Sequence, residues 1–377
     1  MGKIDELIQQ YCPEGVEYKP LGKVCLMERG TSATKGTMQS GEIPVISGGR
    51  QPSFYCNQSN RTGETITVAG SGAGAGYVQY WNEPIFVCDA FSIKGSDNII
   101  TKFVYYFLAS IQEQIYSTKK GGGVPHVHIS SIDKFEIPLP PLPVQEAIVN
   151  ILDRFTVYAA ELQAELQARQ QQYNYYRDTL LSFEGREDVQ WKKLGEVGKV
   201  CMCKRILKEQ TSLSGDVPFF KIGTFGGKAD AYISQELFET YKAKYSYPKK
   251  GDILISAAGT IGRTVVFDGC PSYFQDSNIV WLKHDESVVL NSYLKYCYSL
   301  NPWAVSTGGT IARLYNDNIL NAIIPIPPLS VQQRIVDILD RFDTLVNDLS
   351  QGLPAEIEAR QQQYEYYRDR LLTFNRK

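Results

Sequence analysis

The sequence predicts an α+β protein. It should contain two similar domains of twisted β-sheet plus helices, separated by two long antiparallel coiled-coil helices with pseudo-twofold symmetry. Three observations lead there: an internal repeat, an apolar stripe of heptad period inside each copy, and glycine-punctuated β-rich runs between the copies. Val144-Gln-Glu-Ala-Ile-Val-Asn-Ile-Leu-Asp-Arg-Phe155 recurs as Val331-Gln-Gln-Arg-Ile-Val-Asp-Ile-Leu-Asp-Arg-Phe342, with 9 of 12 positions identical. Ala168-Arg-Gln-Gln-Gln-Tyr-Asn-Tyr-Tyr-Arg-Asp-Thr-Leu-Leu-Ser-Phe183 recurs as Ala359 to Phe374, with 13 of 16 identical. A proline cluster precedes each copy, Ile137-Pro-Leu-Pro-Pro-Leu142 and Ile324-Pro-Ile-Pro-Pro-Leu329.

In chain order, residues 1–143 make the first domain. Thr65-Ile-Thr-Val68, Tyr77-Val-Gln-Tyr-Trp81 and Ile85-Phe-Val-Cys88 read as short strands, with a helix following at about Lys102–Tyr116. Ala69-Gly-Ser-Gly-Ala-Gly-Ala-Gly76 follows a strand, as a dinucleotide-binding loop does. The next residues alternate like another strand, whereas a phosphate site needs a helix N-terminus there. Its counterpart, Ala257-Ala-Gly-Thr-Ile-Gly262, lacks the pattern. Both read as hairpin turns whose glycines permit close backbone approach.

Residues 144–185 form the first long helix. Val144–Phe183 has neither proline nor glycine and is rich in good helix formers. Ile148, Leu152, Phe155, Tyr158, Leu162, Leu166, Arg169, Tyr173, Tyr176, Leu180 and Phe183 recur at the coiled-coil period. Forty residues at about 1.5 Å each make a rod of roughly 60 Å.

Residues 186–330 repeat the first domain loosely. Tyr18-Lys-Pro-Leu-Gly-Lys-Val24 answers Trp191-Lys-Lys-Leu-Gly-Glu-Val197, Gly63 answers Gly251, and Asp89 falls opposite Asp276. Asp252–Ile255, Thr264–Phe267 and Ile279–Leu282 read as strands, and Asn291–Leu300 as a helix. Residues 331–377 form the second long helix, which is four residues longer and contains Gly352 and Pro354. A proline inside a helix costs on the order of 3 kcal/mol, so a break is expected near 350–354, with Ser350 capping and Pro354 starting the next piece. The seam should pass through Leu345 and Leu349, and Asp153, Arg154, Asp340 and Arg341 should either touch partner proteins or, as the favoured reading, pair with charges on the opposite rod.

Of the 377 residues, 43% are hydrophobic and 21% charged, a globular balance. The apolar runs are too short to span a bilayer, and the N-terminus lacks the apolar stretch of a signal peptide, so a cytoplasmic protein is expected. Thirty-nine Lys+Arg against 41 Asp+Glu leave a net charge of −2, without the basic excess usual in a nucleic-acid binder. The eight cysteines are scattered; Cys201-Met-Cys203 is too tight for a CxxC motif, so free thiols and no metal site are expected. No catalytic set emerges either. The Pro-Pro pairs precede Leu rather than the Tyr or Phe of an adenine methyltransferase motif, and Gly223-Thr-Phe-Gly-Gly-Lys-Ala229 has the wrong spacing for a Walker A loop.

Two copies of Pro-Pro-Leu-x-x-Gln-x-x-Ile-Val-x-Ile-Leu-Asp, each followed by Ala-Arg-Gln-Gln-Gln-Tyr-x-Tyr-Tyr-Arg-Asp-x-Leu-Leu, resemble the specificity subunits of bacterial type I restriction-modification enzymes. The opening Cys12-Pro-Glu-Gly-Val-Glu-Tyr-Lys-Pro-Leu-Gly22 is similar to that family as well, and the likeness covers nearly the whole chain. The resemblance implies two target recognition domains, each reading half of a bipartite site in double-stranded DNA. It implies helices that act as spacer and as dock for two modification (methyltransferase) subunits, with restriction (translocase–nuclease) subunits joining that core. It also implies a chain that is not itself an enzyme, with S-adenosylmethionine, ATP and Mg on the partner subunits and no cofactor here. The interrupted second helix departs from a symmetric spacer.

A rod holding two sibling domains apart suits half-sites about one DNA turn, roughly 34–36 Å, apart. Partner subunits can supply the phosphate contacts that a near-neutral chain lacks. Base readout calls for Arg, Lys, Asn, Gln, Ser or Thr on loops facing the major groove. The candidates in the first domain are Ser47, Arg50, Gln51, Ser71, Tyr77, Lys119, Lys120, His126 and His128. Those in the second are Lys221, Thr224, Arg263, Gln275, Asn278, Thr307 and Arg313. The competing reading is a two-domain scaffold that binds two partner proteins without reading DNA.

Overall fold

The computed structural model describes residues 2–121, 123–183, 185–304 and 313–377. The chain divides into two compact units, Met1–Ala164 with Ala355–Lys377, and Glu165–Pro354.

In the first unit the strands are β1 (Tyr18–Pro20), β2 (Cys25–Arg29), β3 (Ile43–Ile46), β4 (Phe54–Cys56), β5 (Thr65–Ala69), β6 (Val78–Trp81), β7 (Phe86–Val87), β8 (Ala90–Gly95) and β9 (Glu136–Pro138). They form a four-stranded sheet in the order β2-β8-β5-β6, a three-stranded sheet β4-β3-β7 and the ribbon β1-β9. The β-structure is therefore split into small sheets. β5 is buried at all five positions, which matches its continuous apolar and threonine run, Thr65-Ile-Thr-Val-Ala69. Its turn to β6 is a hairpin, with Thr65 opposite Trp81 and Val68 opposite Val78.

The second unit repeats this plan strand for strand. Its strands are β10 (Gln190–Lys193), β11 (Gly198–Cys201), β12 (Val217–Phe220), β13 (Tyr232–Ile233), β14 (Ile253–Ser256), β15 (Thr264–Val266), β16 (Tyr273–Phe274), β17 (Ile279–His284) and β18 (Ile323–Ile326). The orders are β11-β17-β14-β15, β13-β12-β16 and β10-β18. Even the mixed pairing is shared, since β3 runs parallel to β7 and β12 parallel to β16.

Helix α1 (Gly2–Tyr11) opens the first unit, and α2 (Thr101–Ser110) packs Phe103, Val104, Phe107 and Leu108 into its core. The long helix α3 (Leu142–Ser182) starts with Pro143 in its first turn, where a missing N–H costs little. In the second unit α4 (Gln235–Lys244) is an addition capped by Ser234, whose side chain accepts the Leu237 N–H. Helix α5 (Asn291–Ser299) answers α2.

Helices α6 (Leu329–Asn347) and α7 (Leu353–Leu371) belong to different units and are separated by 348–352. Ser350 does not cap. Instead the Asp348 carboxylate accepts the Ser350 amide, the Ser350 hydroxyl and the Gln351 amide, which closes the turn between the two helices. Those bonds hold its carboxyl below the usual carboxylate range. Leu349, expected in the seam, is 77% exposed because the helix has already ended, and Val346 is buried in its place.

Within the first unit the start of α3 packs antiparallel on α7. Phe155 meets Tyr364 and Tyr367, while Tyr158 donates to Glu356 and lies beneath the Arg360 guanidinium. Ile148, Leu152, Leu371 and Leu372 join this contact to the sheet core. The last residues return to the first strand: the Tyr18 hydroxyl donates to the Phe374 carbonyl, and Val16 bridges Arg376. Within the second unit the end of α3 packs on α6, with Tyr176 against Phe342 and with Tyr173, Leu181, Leu339 and Val346 buried together.

Candidate nucleic-acid interface

In the first unit three loops meet at one edge. A Cβ on Gly48 would stand 2.2 Å from the Ser71 carbonyl oxygen, and one on Gly74 would stand 2.4 Å from that of Gly48. Only glycine lets the loop after β3 touch the β5–β6 turn. Ser71 in turn bridges His126, and Lys120 and His126 exchange backbone hydrogen bonds of 2.9 and 2.8 Å. The Arg50 guanidinium lies 5.1 Å over the Tyr77 ring, and Gln79 Nε2 donates to the Arg50 carbonyl at 2.9 Å. The imidazoles of His126 and His128 stand parallel with centroids 6.1 Å apart.

Ser47, Arg50, Gln51, Ser71, Tyr77, Lys120, His126 and His128 are thus brought to one polar edge by three distant segments. The Lys119 ammonium lies 4.2 Å over the Tyr116 ring. Beside this edge opens a cleft of about 370 Å³ lined by Arg29, Ser32, Asp89, His126 and His128. The Asp89 carboxylate accepts the Ser71 hydroxyl.

The second unit has a cleft of about 760 Å³ at the corresponding place, lined by Arg205, Lys208, Lys221, Gln275, Asp276, Asn278 and Arg313. Its framework is held from within. The Ile222 N–H donates to Gln275 Oε1 at 2.9 Å, while Arg313 Nη2 donates to the Ser277 carbonyl and to Asn278 Oδ1 at 3.1 and 3.3 Å. Lys221 pairs with Asp230 at 2.8 Å, an exposed contact that adds little stability. Two candidates do not line this cleft. Thr224 spends its hydroxyl on the Lys221 amide in its own turn, and the Arg263 guanidinium reaches the Gly226 carbonyl. Thr307 lies outside the described residues.

The two clefts occupy one position in the fold. Each lies between the segment following β2 or β11, the turn from β7 to β8 or from β16 to β17, and the stretch that carries His126 or Arg313. Asp89 and Asp276 each stand two residues past the end of β7 and β16. Sequence reasoning missed Arg29, Ser32, Arg205 and Lys208. Counting from the shared Leu-Gly-x-Val finds one of these pairs, since Ser32 and Arg205 both stand eight residues past its valine.

Of the matched charges on the long helices, the aspartates bond to their own domains, whereas Arg154 and Arg341 are exposed. Asp153 pairs with Lys102 at 2.8 Å and accepts the Tyr106 hydroxyl, and Asp340 accepts that of Tyr296. These aspartates bind each helix to its own domain rather than to the opposite rod. Tyr106 and Tyr296 are themselves buried core residues of α2 and α5, so each aspartate anchors its long helix to a domain core. Among the described residues Arg154 and Arg341 have no ion-pair partner, and no group of three His, Cys, Asp or Glu could hold a metal ion. All eight cysteines are free.

Two copies of one α+β unit, with the same cleft lined by different polar side chains, define a protein with two related but unequal binding heads. Known proteins supply the family. The family described as type I restriction modification DNA specificity domain matches twice, over residues 13–169 and 186–359. A putative type I restriction enzyme specificity subunit of Haemophilus influenzae is 46% identical over 374 residues, covering 96% of each chain. A type I restriction enzyme specificity subunit of Escherichia coli is 32% identical over 396 residues, covering 95% of this chain and 94% of that one. A crystal structure of an S subunit of a type I restriction-modification system from M. genitalium shares the fold, with a TM-score of 0.63 at 18% identity over 95% of this chain and 96% of that one. The chain belongs to the type I restriction-modification specificity subunits.

Proposed function

We propose that each unit reads one half of a bipartite site in double-stranded DNA through its cleft and the adjoining loop edge. The long helices set the spacing of the halves and dock two modification subunits, which restriction subunits then join. One observation carries this reading: the cleft recurs at the same place in both units while its side chains differ, Ser32 against Arg205 and His126 against Arg313. A shared frame with exchanged polar groups suits two half-sites of different sequence, because base edges are distinguished by the donor and acceptor patterns they meet.

In this reading the chain is non-catalytic and cytoplasmic. S-adenosylmethionine, ATP and Mg belong to the partner subunits, in keeping with the missing methyltransferase and Walker patterns. No helix among the described residues is long and apolar enough to cross a membrane. With a net charge of −2, most of the phosphate contact must come from the partners.

The test is selection from a random-site DNA library by the full chain assembled with its modification subunits. A split motif with two defined halves and a fixed gap is expected. Enrichment of no motif, with assembly intact, favours the two-domain scaffold instead.

A further inference from the structure

We propose that Arg205 is the side chain with which the second unit reads a guanine, and that Asp276 is the positioning residue that aims it. This rests on the cleft being a half-site reader. Arg205 lies on the segment following β11 and lines the cleft of that unit. Its Nε donates to Asp276 Oδ2 at 3.0 Å. The two partners differ in exposure: the Arg205 side chain is 68% exposed and that of Asp276 only 16%. The carboxylate is thus part of the wall, and the guanidinium projects from it into the opening.

The geometry of arginine makes this arrangement informative. A guanidinium carries its N–H donors in a rigid plane. With Nε engaged by the wall, both terminal nitrogens are left to donate side by side, which is the fork that grips O6 and N7 on the major-groove edge of guanine. A lysine cannot do this, having a single charged nitrogen and no plane. The other cations of the cleft are Lys208, Lys221 and Arg313. Lys221 is paired with Asp230, and Arg313 uses Nη2 on the Ser277 carbonyl and Asn278 Oδ1.

The first unit supplies an internal comparison. Asp89 stands where Asp276 stands, but Ser32 occupies the place of Arg205, and the Asp89 carboxylate takes the Ser71 hydroxyl instead. The carboxylate is common to both units, and the group set against it is exchanged. A fixed anchor with a replaceable reader lets one fold address different bases.

The experiment uses the full chain assembled with its modification subunits, a random-site library, and two salt concentrations. Arg205→Lys and Arg205→Ala should each lose discrimination at one G·C pair of one half-site, by about tenfold to a hundredfold, with the other half-site unchanged. Asp276→Asn should lose part of the same discrimination at the same base pair, and adding it to Arg205→Ala should change nothing further. Assembly and undiminished selection at the remaining base pairs of the same half-site serve as the control for folding, and Arg205→Lys keeps the charge and most of the volume. An even loss over all sequences with a shallower salt dependence would mark Arg205 as a phosphate contact and overturn the assignment. So would an unchanged motif, or additive effects of the two substitutions. If the unaltered chain selects no split motif, the reading of the clefts itself fails, and this assignment with it.

Discussion

Gln145 and Gln332 are fully buried polar side chains in the motif that introduces each long helix. Gln145 accepts the Ile100 N–H through Oε1 at 2.9 Å and donates from Nε2 to the carbonyls of Asn98 and Pro140. Gln332 makes the same three bonds to the Leu290 N–H and to the carbonyls of Val288 and Pro327. Ile100 and Leu290 are the N-cap residues of α2 and α5. One amide therefore ties the start of a domain helix to the proline turn that launches the long helix, and only an amide offers both the acceptor and the donors required. Gln145→Leu fills the space but takes the partner from three backbone groups, the carbonyl of Pro140 buried and the other two partly so. It should destabilise the first unit by about 2–4 kcal/mol, as an orphaned group costs about 1–3 kcal/mol and some relaxation is available. Hydrogen exchange at Ile100 should rise sharply while the second unit keeps its protection; an unchanged unfolding midpoint would refute this role. The repeat exposed these glutamines in the sequence, but two of the three partners of each lie 42 to 47 residues away, so only the fold reveals their use.

At the level of elements, the long helices were legible because a period of 3.5 survives in the sequence and appears twice, and six strands were legible as β-rich runs; others, such as Ile43–Ile46 and Val217–Phe220, were not singled out. The helix break was legible from Gly352 and Pro354, but its chemistry was not. Pro354 sits in the first turn of α7, where it is tolerated, and the closure is made by Asp348. Gly352 is there for closeness rather than for an unusual φ. A Cβ at this position would stand 2.4 Å from the Thr344 carbonyl oxygen and 2.8 Å from that of Leu345, at the end of α6. These are backbone atoms that cannot swing aside. Gly352→Ala should therefore cost about 1–3 kcal/mol, in the range of overpacking a tight site, despite the better helix propensity of alanine. A stability equal to or above that of the parent chain in urea unfolding would show that the contact relaxes freely. The clefts were the least legible elements. Ser71, His126 and Lys120 are joined by backbone pairing across loops, and no periodicity records such contacts.

For the whole molecule, the repeat divides the chain by function as well as by sequence. The segments that match closely hold each unit together, through Gln145 and Gln332 and through Tyr106 with Asp153 and Tyr296 with Asp340. The segments that diverge supply the clefts. Nothing internal to a unit requires Ser32 and Arg205 to agree, so they are free to differ. On this division, the length of α3 should govern the gap between half-sites and nothing about their sequence. The junction between Ala164 and Glu165 is the place to test it, since α3 passes there from one unit to the other without proline or glycine. Four added helical residues lengthen α3 by about 6 Å and turn it by little more than one full revolution, which keeps the apolar stripe nearly in line. Because successive base pairs of a duplex lie about 3.4 Å apart, the selected gap should grow by one or two base pairs. Both half-site sequences should persist, read by library selection with the modification subunits present. Altered half-sites at an unchanged gap would mean that the helix shapes the clefts themselves, and the spacer reading would have to be abandoned.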